Sequence, residues 1–130
     1  PDMTTQITDG NDIFGSHQGV INDAEKGAVL VPEGCATNNG TKGNPCLVAD
    51  VFGDWREELI LRTKDNKAIR IYTNTDECFH KIFTLMHDTM YRTGIAWQND
   101  CYNQPCYTKF YFAHDTNFKY VLPEMQLPKA

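Results

Sequence analysis

Short runs of apolar and β-branched residues, separated by Gly, Asn, Asp and Pro, recur along this 130-residue sequence. Runs of this length are typical of β-strands. The predicted strands lie at residues 3–7, 28–31, 46–51, 57–62, 68–73, 93–97 and 109–112. The pattern therefore predicts an all-β fold.

One pair of predicted strands forms a hairpin. Side chains alternate in residues 68–73, residues 57–62 have an apolar centre, and the polar turn 64–67 joins the two runs. Alternation on either side of a polar turn indicates two antiparallel strands. Residues 80–90 show a weak helical spacing, but their Thr and aromatic content is equally compatible with an extended segment.

The spacing of the strands predicts a repeated architecture. Strands in close succession with polar turns indicate four-stranded sheets recurring about every 40 to 50 residues, which is the pattern of a β-propeller. A chain of this length would supply about two to three blades, which cannot close into a ring alone. Residues 8–23 and 123–130 have the composition of connections. We therefore expect residues 1–130 to be part of a longer catalytic or binding domain.

Charge and motifs exclude several function classes. The sequence has 12 basic and 17 acidic residues, and the basic residues do not cluster, so we expect no nucleic-acid partner. No apolar run approaches the roughly 18 residues of a transmembrane helix, so we expect no membrane partner. The motifs of serine hydrolases, zinc proteases, nucleotide hydrolases and dinucleotide enzymes are absent. The five cysteines show no C-x-x-C spacing; Cys35 with Cys46, or Cys101 with Cys106, could form a bridge.

The densest acidic cluster occupies residues 50–58. Asp50, Asp54 and Glu58 stand at relative positions 1, 5 and 9, with Gly53 at position 4. Carboxylates spaced in this way around a tight bend can bind one calcium ion. Phe52 stands where such a loop normally supplies another oxygen. The alternative is that the carboxylates cap a turn and pair with a neighbouring arginine.

Two further segments have the composition of ligand-binding loops. Residues 35–45 form a polar loop that contains Lys42, and small residues there would let a ligand approach the backbone. A solvated loop with an ordinary surface lysine is the alternative. Residues 97–107 combine amides and aromatic rings, the mixture that binds sugars. The alternative there is a strand-end turn with Trp97 in the core.

Several motifs together resemble one known family, the rhamnogalacturonan lyases of polysaccharide lyase family 11. They occur in the family's order and spacing and span about residues 38–112. The motifs are NNGTKG (38–43), ADVFGDWREE (49–58), IRIYT (69–73), TLMHD (84–88), YR (91–92), IAWQN (95–99) and YNQP (102–105).

The resemblance implies a fold and an activity. The fold is an eight-bladed β-propeller, of which this chain would be the C-terminal part. The activity is β-elimination at the α-1,4 bond between rhamnose and galacturonate in rhamnogalacturonan I, a pectic polysaccharide, by a secreted bacterial enzyme that carries calcium. The remaining propeller blades of the same protein would then be a partner of this chain.

The resemblance also implies roles for individual residues. Lys42 and Tyr102 fall on active-site positions, and Asn99 with the backbone carbonyl of Cys101 matches a calcium site. The expected sugar contacts are Asn39, Gly40, Thr41 and Gln104. A non-catalytic carbohydrate-binding module, or a calcium-stabilised structural β module, is the alternative function.

Overall fold

The structure is a computed structural model that describes residues 6–8, 18–39, 42–100 and 105–118. Within these ranges the chain is mostly β-sheet, as predicted. It also contains one short α-helix, which the prediction of an all-β fold did not include. The strands are β1 (Ile7–Thr8), β2 (Ile21–Asp23), β3 (Gly27–Leu30), β4 (Cys35–Ala36), β5 (Leu47–Ala49), β6 (Glu58–Thr63) and β7 (Ile69–Tyr72). A 3₁₀ turn (Leu85–His87) precedes helix α1 (Thr89–Trp97).

The first sheet contains β1, β2 and β3, all antiparallel and in sequence order. The Asp23 carboxylate forms the turn between β2 and β3, because its Oδ1 accepts the N–H groups of Glu25 and Lys26 at 2.9 Å each. Gly27 then starts β3 with a φ of +76°. Glycine adopts this left-handed conformation readily, because it has no Cβ to clash with the backbone.

The second sheet is built around β6. Strand β7 pairs with one edge of β6, while β5 and β4 pair with successive parts of the other edge, all antiparallel. The predicted hairpin is confirmed as β6 and β7. The N–H of Thr63 donates to the carbonyl of Ala68 at 2.9 Å, and Asn66 adopts a left-handed φ of +57° in the turn.

One face of the second sheet packs against the first sheet. Its centre is the buried trio Cys35, Leu59 and Leu61, and the partly buried side chains around it are Ile21, Leu30, Val48 and Tyr72. Gly19, with a φ of +81°, lies so close that a Cβ there would be 3.2 Å from a methyl group of Leu61. The segment just before β2 therefore packs so closely on Leu61 that a Cβ at position 19 would require its neighbours to shift.

The opposite face of the second sheet, which we call the outer face, is also aliphatic. Leu47 lies opposite Ile60 on β6, and Ile60 lies opposite Ile71 on β7, so the three side chains share one face. Ile69 joins them two residues from Ile71. Ile69 and Ile71 are 63% and 46% exposed, which is high for isoleucine in a strand. The outer face therefore carries an exposed aliphatic patch on β7, whereas its other end, at Ala49 and Glu58, is buried.

A second core surrounds helix α1. Trp55, Leu85 and Tyr91 are buried in it, and the partly buried side chains packed on them include Ile95, Phe110 and Phe112. Asp88 caps the helix, because its Oδ1 accepts the N–H of Tyr91 at 2.9 Å.

Several local predictions are corrected by this part of the structure. The strand predicted at residues 93–97 is wrong, because these residues form the second half of α1. Residues 109–112 form no strand, although Phe110 and Phe112 do pack in the second core. Trp97, which one interpretation placed in the core, is 67% exposed. Among the described residues, no helix is both long and apolar enough to cross a bilayer.

Candidate active site

The loop that carries Lys42 has a closed base. The N–H of Asn38 donates to the carbonyl of Asn44 at 2.7 Å, and Asn39 and Asn44 form an isolated β-bridge. The carbonyl of Asn39 then accepts the N–H groups of Lys42 at 3.3 Å and Gly43 at 3.0 Å. We call residues 38–46 the 38–46 loop; its described residues, 38–39 and 42–46, form a closed base that leads into β5.

Lys42 presents its side chain to solvent near the tip of this loop. Within the described residues, no carboxylate forms an ion pair with its ammonium group. Asn39, an expected sugar contact, is also exposed and takes part in further interactions of its own. The loop thus carries one exposed cation and one exposed amide, which are side chains suited to an acidic sugar.

The segment after α1 holds the base of the loop. The Nδ2 of Asn99 donates to the carbonyl of Cys46 at 2.6 Å and to that of Pro45 at 3.3 Å. Its Oδ1 accepts from the Nδ2 of Asn38 at 3.3 Å. The structure therefore brings Asn99 together with the loop of Asn39 and Lys42. Gly40, Thr41, Cys101, Tyr102 and Gln104 lie outside the described residues, so their predicted roles stay predictions.

Asp50 is buried at the end of β5, with 1% of its surface exposed. Its Oδ2 accepts the hydroxyl of Thr84 and the N–H of Leu85, both at 2.7 Å. Its Oδ1 is buried and has no hydrogen-bond partner among the residues that the structure describes. Because a buried carboxylate oxygen without a partner is costly, this atom fits a position next to a bound cation.

Glu58 and Asp54 have other partners. The Oε2 of Glu58 accepts the N–H groups of Val51 and Phe52 at 2.8 and 3.1 Å, and its Oε1 accepts the hydroxyl of Thr73 at 3.0 Å. Asp54 accepts from the Nε of Arg56 at 2.9 Å, and this pairing holds the pKa of Asp54 below its usual value.

The three predicted carboxylate ligands are therefore not gathered around one point. The described residues contain no group of three or more His, Cys, Asp or Glu side chains that could hold a metal ion. The arrangement matches the alternative interpretation for Asp54 and Glu58, in which carboxylates cap a turn or pair with Arg56. A calcium ion shared by Asp50, Asp54 and Glu58 gains no support from it, whereas Asp50 alone retains an oxygen suited to a cation.

A hydrogen-bonded pair beside Asp50 was missed by the sequence analysis. The Tyr91 hydroxyl donates to Oε1 of Glu57 at 2.6 Å and accepts the N–H of Asp50 at 3.0 Å. Desolvation of the Glu57 carboxyl group, together with the nearby charges of Asp50 and Glu58, raises its pKa, while the residue as a whole keeps an exposed surface. Burial likewise raises the pKa of Tyr91. Nothing in the spacing of these residues signals the contact, because 34 positions separate Glu57 from Tyr91.

The cysteines of the described residues are free thiols. Cys35 is buried in the first core, and Cys46, Cys78 and Cys106 are half-buried. The bridge between Cys35 and Cys46 is therefore not formed. Cys106 is also a free thiol, and Cys101, the other predicted partner of Cys106, lies outside the described residues.

Comparisons with known proteins identify the relatives of this chain. The family "Rhamnogalacturonan lyase family 11, C-terminal domain" matches residues 1–120. The rhamnogalacturonan exolyase YesX of Bacillus subtilis is 59% identical over 92 residues, which cover 68% of this chain and 15% of the relative. The rhamnogalacturonan endolyase YesW of the same organism is 52% identical over 100 residues, which cover 77% of this chain and 16% of the relative.

A solved structure shows the same similarity in three dimensions. A rhamnogalacturonan lyase of Bacillus licheniformis superimposes with a TM-score of 0.78 at 40% identity, over 90% of this chain and 20% of that one. The chain thus spans about a sixth of the curated relatives it matches, 15% and 16% of their lengths.

Proposed function

Because this chain belongs to the C-terminal domain family of the family 11 rhamnogalacturonan lyases, we propose that it forms part of an enzyme that cleaves rhamnogalacturonan I by β-elimination. The observation that carries the proposal is the 38–46 loop, which carries the exposed residues Asn39 and Lys42 and is bound to Asn99 through Asn38, Pro45 and Cys46. The matched relatives include one exolyase and one endolyase, so the proposal covers both modes of cleavage.

The rest of the proposed enzyme would be a larger body to which this chain contributes sheets. The exposed isoleucines of the outer face, Ile69 and Ile71, support this proposal, since exposed apolar patches commonly mark interaction surfaces. The stacking of the two described sheets is compatible with neighbouring propeller blades, and an eight-bladed propeller remains the architecture we propose. Secretion from a bacterium is part of the same proposal, and its support is the family resemblance alone.

β-Elimination on a uronate makes three chemical demands. The carboxylate must be neutralised so that the C5 proton becomes acidic, a base must remove that proton, and a donor must protonate the departing O4. The bond between C4 and O4 then breaks as the C4–C5 double bond forms, and no water is added. These demands require at least one cation and one proton-transfer group at the site.

Lys42 is suited to the first demand. A lysine can accept a proton only in its neutral form, which is favoured by burial or by neighbouring cations. Lys42 is exposed, so its ammonium form would serve as the counter-charge of the uronate carboxylate. The proton-transfer role falls to Tyr102 by the resemblance, while Asn39, Gly40, Thr41 and Gln104 would contact the sugars.

Calcium is the ion we propose for this enzyme, and Asp50 is the described residue best suited to hold it. Its unpartnered Oδ1 supports this assignment, whereas Asp54 is engaged by Arg56. Removal of calcium by a chelator should lower the unfolding temperature, because a ligand bound only by the folded state stabilises that state. Asp50→Asn should abolish the shift, and Asp54→Asn, the matched control, should retain it. A melting curve unchanged by chelator would exclude this site.

The catalytic proposal is tested by lysine substitution in the full-length protein. Lys42→Ala should reduce turnover of rhamnogalacturonan I by about a hundredfold or more, since a counter-charge to the uronate is lost. Lys67→Ala is the control, because Lys67 is exposed in the turn between β6 and β7. The measurement is the ultraviolet absorbance of the unsaturated uronate product. Turnover near wild type for Lys42→Ala would assign the role to another residue.

A further inference from the structure

Two consecutive amide side chains at the end of α1 bind backbone groups in a distant part of the chain. The helix ends at Trp97, Gln98 has an extended backbone, and Asn99 follows with a left-handed φ of +62°. A left-handed residue just after the last turn is a common way for a helix to end. From this position the side chain of Gln98 reaches β5, and that of Asn99 reaches the 38–46 loop.

Gln98 binds β5 as a neighbouring strand would. Its Oε1 accepts the N–H of Val48 at 2.9 Å, and its Nε2 donates to the carbonyl of Val48 at 2.6 Å. The same donor and acceptor pair joins opposite residues of two antiparallel strands. On its other edge β5 pairs with β6, so the middle of β5 is fixed from both sides.

Asn99 joins the two ends of the loop. Its Oδ1 binds Asn38, where the chain enters the loop, and its Nδ2 binds the carbonyls of Pro45 and Cys46, where the chain leaves it. Gln98 then fixes Val48, two residues further on. Together the two amides hold the loop base to the end of α1.

We propose that Gln98 and Asn99 form an amide clamp that positions the 38–46 loop, and with it Lys42, for the uronate of the substrate. This inference rests on the proposed function. The backbone of Lys42 is tied to Asn39, so the place of its ammonium group depends on where the loop base lies. A displacement of about 1 Å in a group that contacts the reacting sugar can cost about a hundredfold in rate. Gln98 is thus a positioning residue, which touches no reacting atom.

The test uses the full-length protein with two substitutions at position 98. Gln98→Ala removes both bonds to Val48. Gln98→Glu keeps the length of the side chain, but an ionised carboxylate cannot donate to the Val48 carbonyl. For both variants we expect kcat on rhamnogalacturonan I to fall about tenfold with KM changed less than about threefold, because positioning, and not binding, is lost.

The pH dependence of Gln98→Glu separates positioning from general damage. A protonated carboxyl group has one donor and one acceptor, as the amide does. The ratio of the variant's kcat to that of the wild type should therefore rise as the pH falls. For Gln98→Ala the same ratio should stay constant with pH.

Amide hydrogen exchange tests the clamp independently of enzyme activity. In Gln98→Ala, the amides of Asn38 and Gly43 should exchange about tenfold faster, while that of Thr63 in the β6–β7 hairpin should not change. Asn74→Ala, the control, removes an amide that accepts the N–H of Asp76 at 2.7 Å, far from the loop in sequence, and should leave the loop exchange unaltered.

Each result decides one part of the proposal. Unchanged loop exchange in Gln98→Ala would overturn the clamp. If the wild type is active and Gln98→Ala shows faster loop exchange but an unchanged kcat, the positioning role would be overturned. If the wild type itself released no unsaturated product, the proposed function would fail, the positioning role would fall with it, and the exchange data would still decide whether the clamp exists.

Discussion

Glu58 is completely buried, and its carboxylate is bound by three neutral donors. Two of them are backbone N–H groups of the turn after β5, and the third is the hydroxyl of Thr73. A carboxylate in this position holds the turn of residues 50–57 to the sheet. The residue thus acts as an internal cap, and its contribution to stability depends on all three hydrogen bonds being formed.

We predict that Glu58→Ala lowers the free energy of unfolding by about 2–4 kcal/mol, because the three hydrogen bonds to this buried carboxylate are lost. Glu58→Gln should cost about 1 kcal/mol, since an amide oxygen can still accept from the backbone and the Thr73 hydroxyl can reorient. Urea denaturation measures both. Equal losses for the two variants would show that the charge itself, and not the hydrogen bonds, stabilises the turn.

The raised pKa of Glu57 predicts how the free energy of unfolding depends on pH. The sign is opposite to that for a carboxylate in a stabilising ion pair. Its pKa is raised in the folded state, mainly by burial, so the folded protein holds this proton to a higher pH than the unfolded chain does. Its contribution to stability therefore falls as the pH rises from the ordinary value of 4.5 through the folded pKa. The ionised form is the unfavourable one.

Glu57→Gln should therefore be more stable than wild type at neutral pH, and the difference should vanish below pH 4.5. The amide can still accept the Tyr91 hydroxyl. Denaturation at several pH values measures the difference, with the exposed Glu77→Gln as control. A variant less stable than wild type at neutral pH would mean that the charged bond to Tyr91 outweighs the cost of burial.

Residue contacts such as these are only partly readable from the sequence. The polar loop around Lys42 and the amide-rich segment after Trp97 can each be selected by composition. Their contact cannot, because 61 positions separate Asn38 from Asn99 and no local rule fixes which loops meet. The acidic cluster shows how little spacing alone decides. It predicts one shared ion, which stays a prediction, whereas in the structure each carboxylate accepts from different donors.

Helix α1 depends on its cap more than on its composition. Thr93, Gly94 and Ile95 are poor helix formers, and for this reason the sequence alone favours a strand there. The helix forms because Asp88 caps it and Tyr91 is buried beneath it. The β6–β7 hairpin was predictable because local alternation and a polar turn determine it, whereas a helix stabilised by tertiary packing leaves a weaker local pattern.

We predict that Asp88→Ala costs about 1–2 kcal/mol of unfolding free energy, since the Tyr91 N–H loses its acceptor inside the protein. Asp88→Asn should cost distinctly less, because asparagine is also a good cap. Chemical denaturation measures stability, and circular dichroism reports helix content. An Asp88→Ala variant as stable as Asp88→Asn would show that packing alone forms the helix.

At the scale of the whole molecule, the segment before β2 packs against the second sheet where Gly19 approaches Thr37 and Leu61. Gly19→Ala should destabilise the protein by more than about 1 kcal/mol, because a Cβ there meets both an unfavourable φ and Leu61. Gly27→Ala is a matched control, with a similar φ of +76° and no atom within 4 Å of the added Cβ. The difference between the two unfolding free energies measures sheet packing. Equal losses would mean that the backbone strain accounts for the whole effect.

The outer face has a consequence for handling the chain in the laboratory. Strand β7 lies at the edge of its sheet within the described residues, and two of its four side chains are exposed isoleucines. Edges of this kind recruit other strands, so concentrated solutions of the 130-residue chain should associate and precipitate. Ile71→Lys would place a charge on this edge strand. Charged side chains on edge strands are one way in which natural sheets avoid association with other strands. Light scattering during concentration would show whether solubility improves.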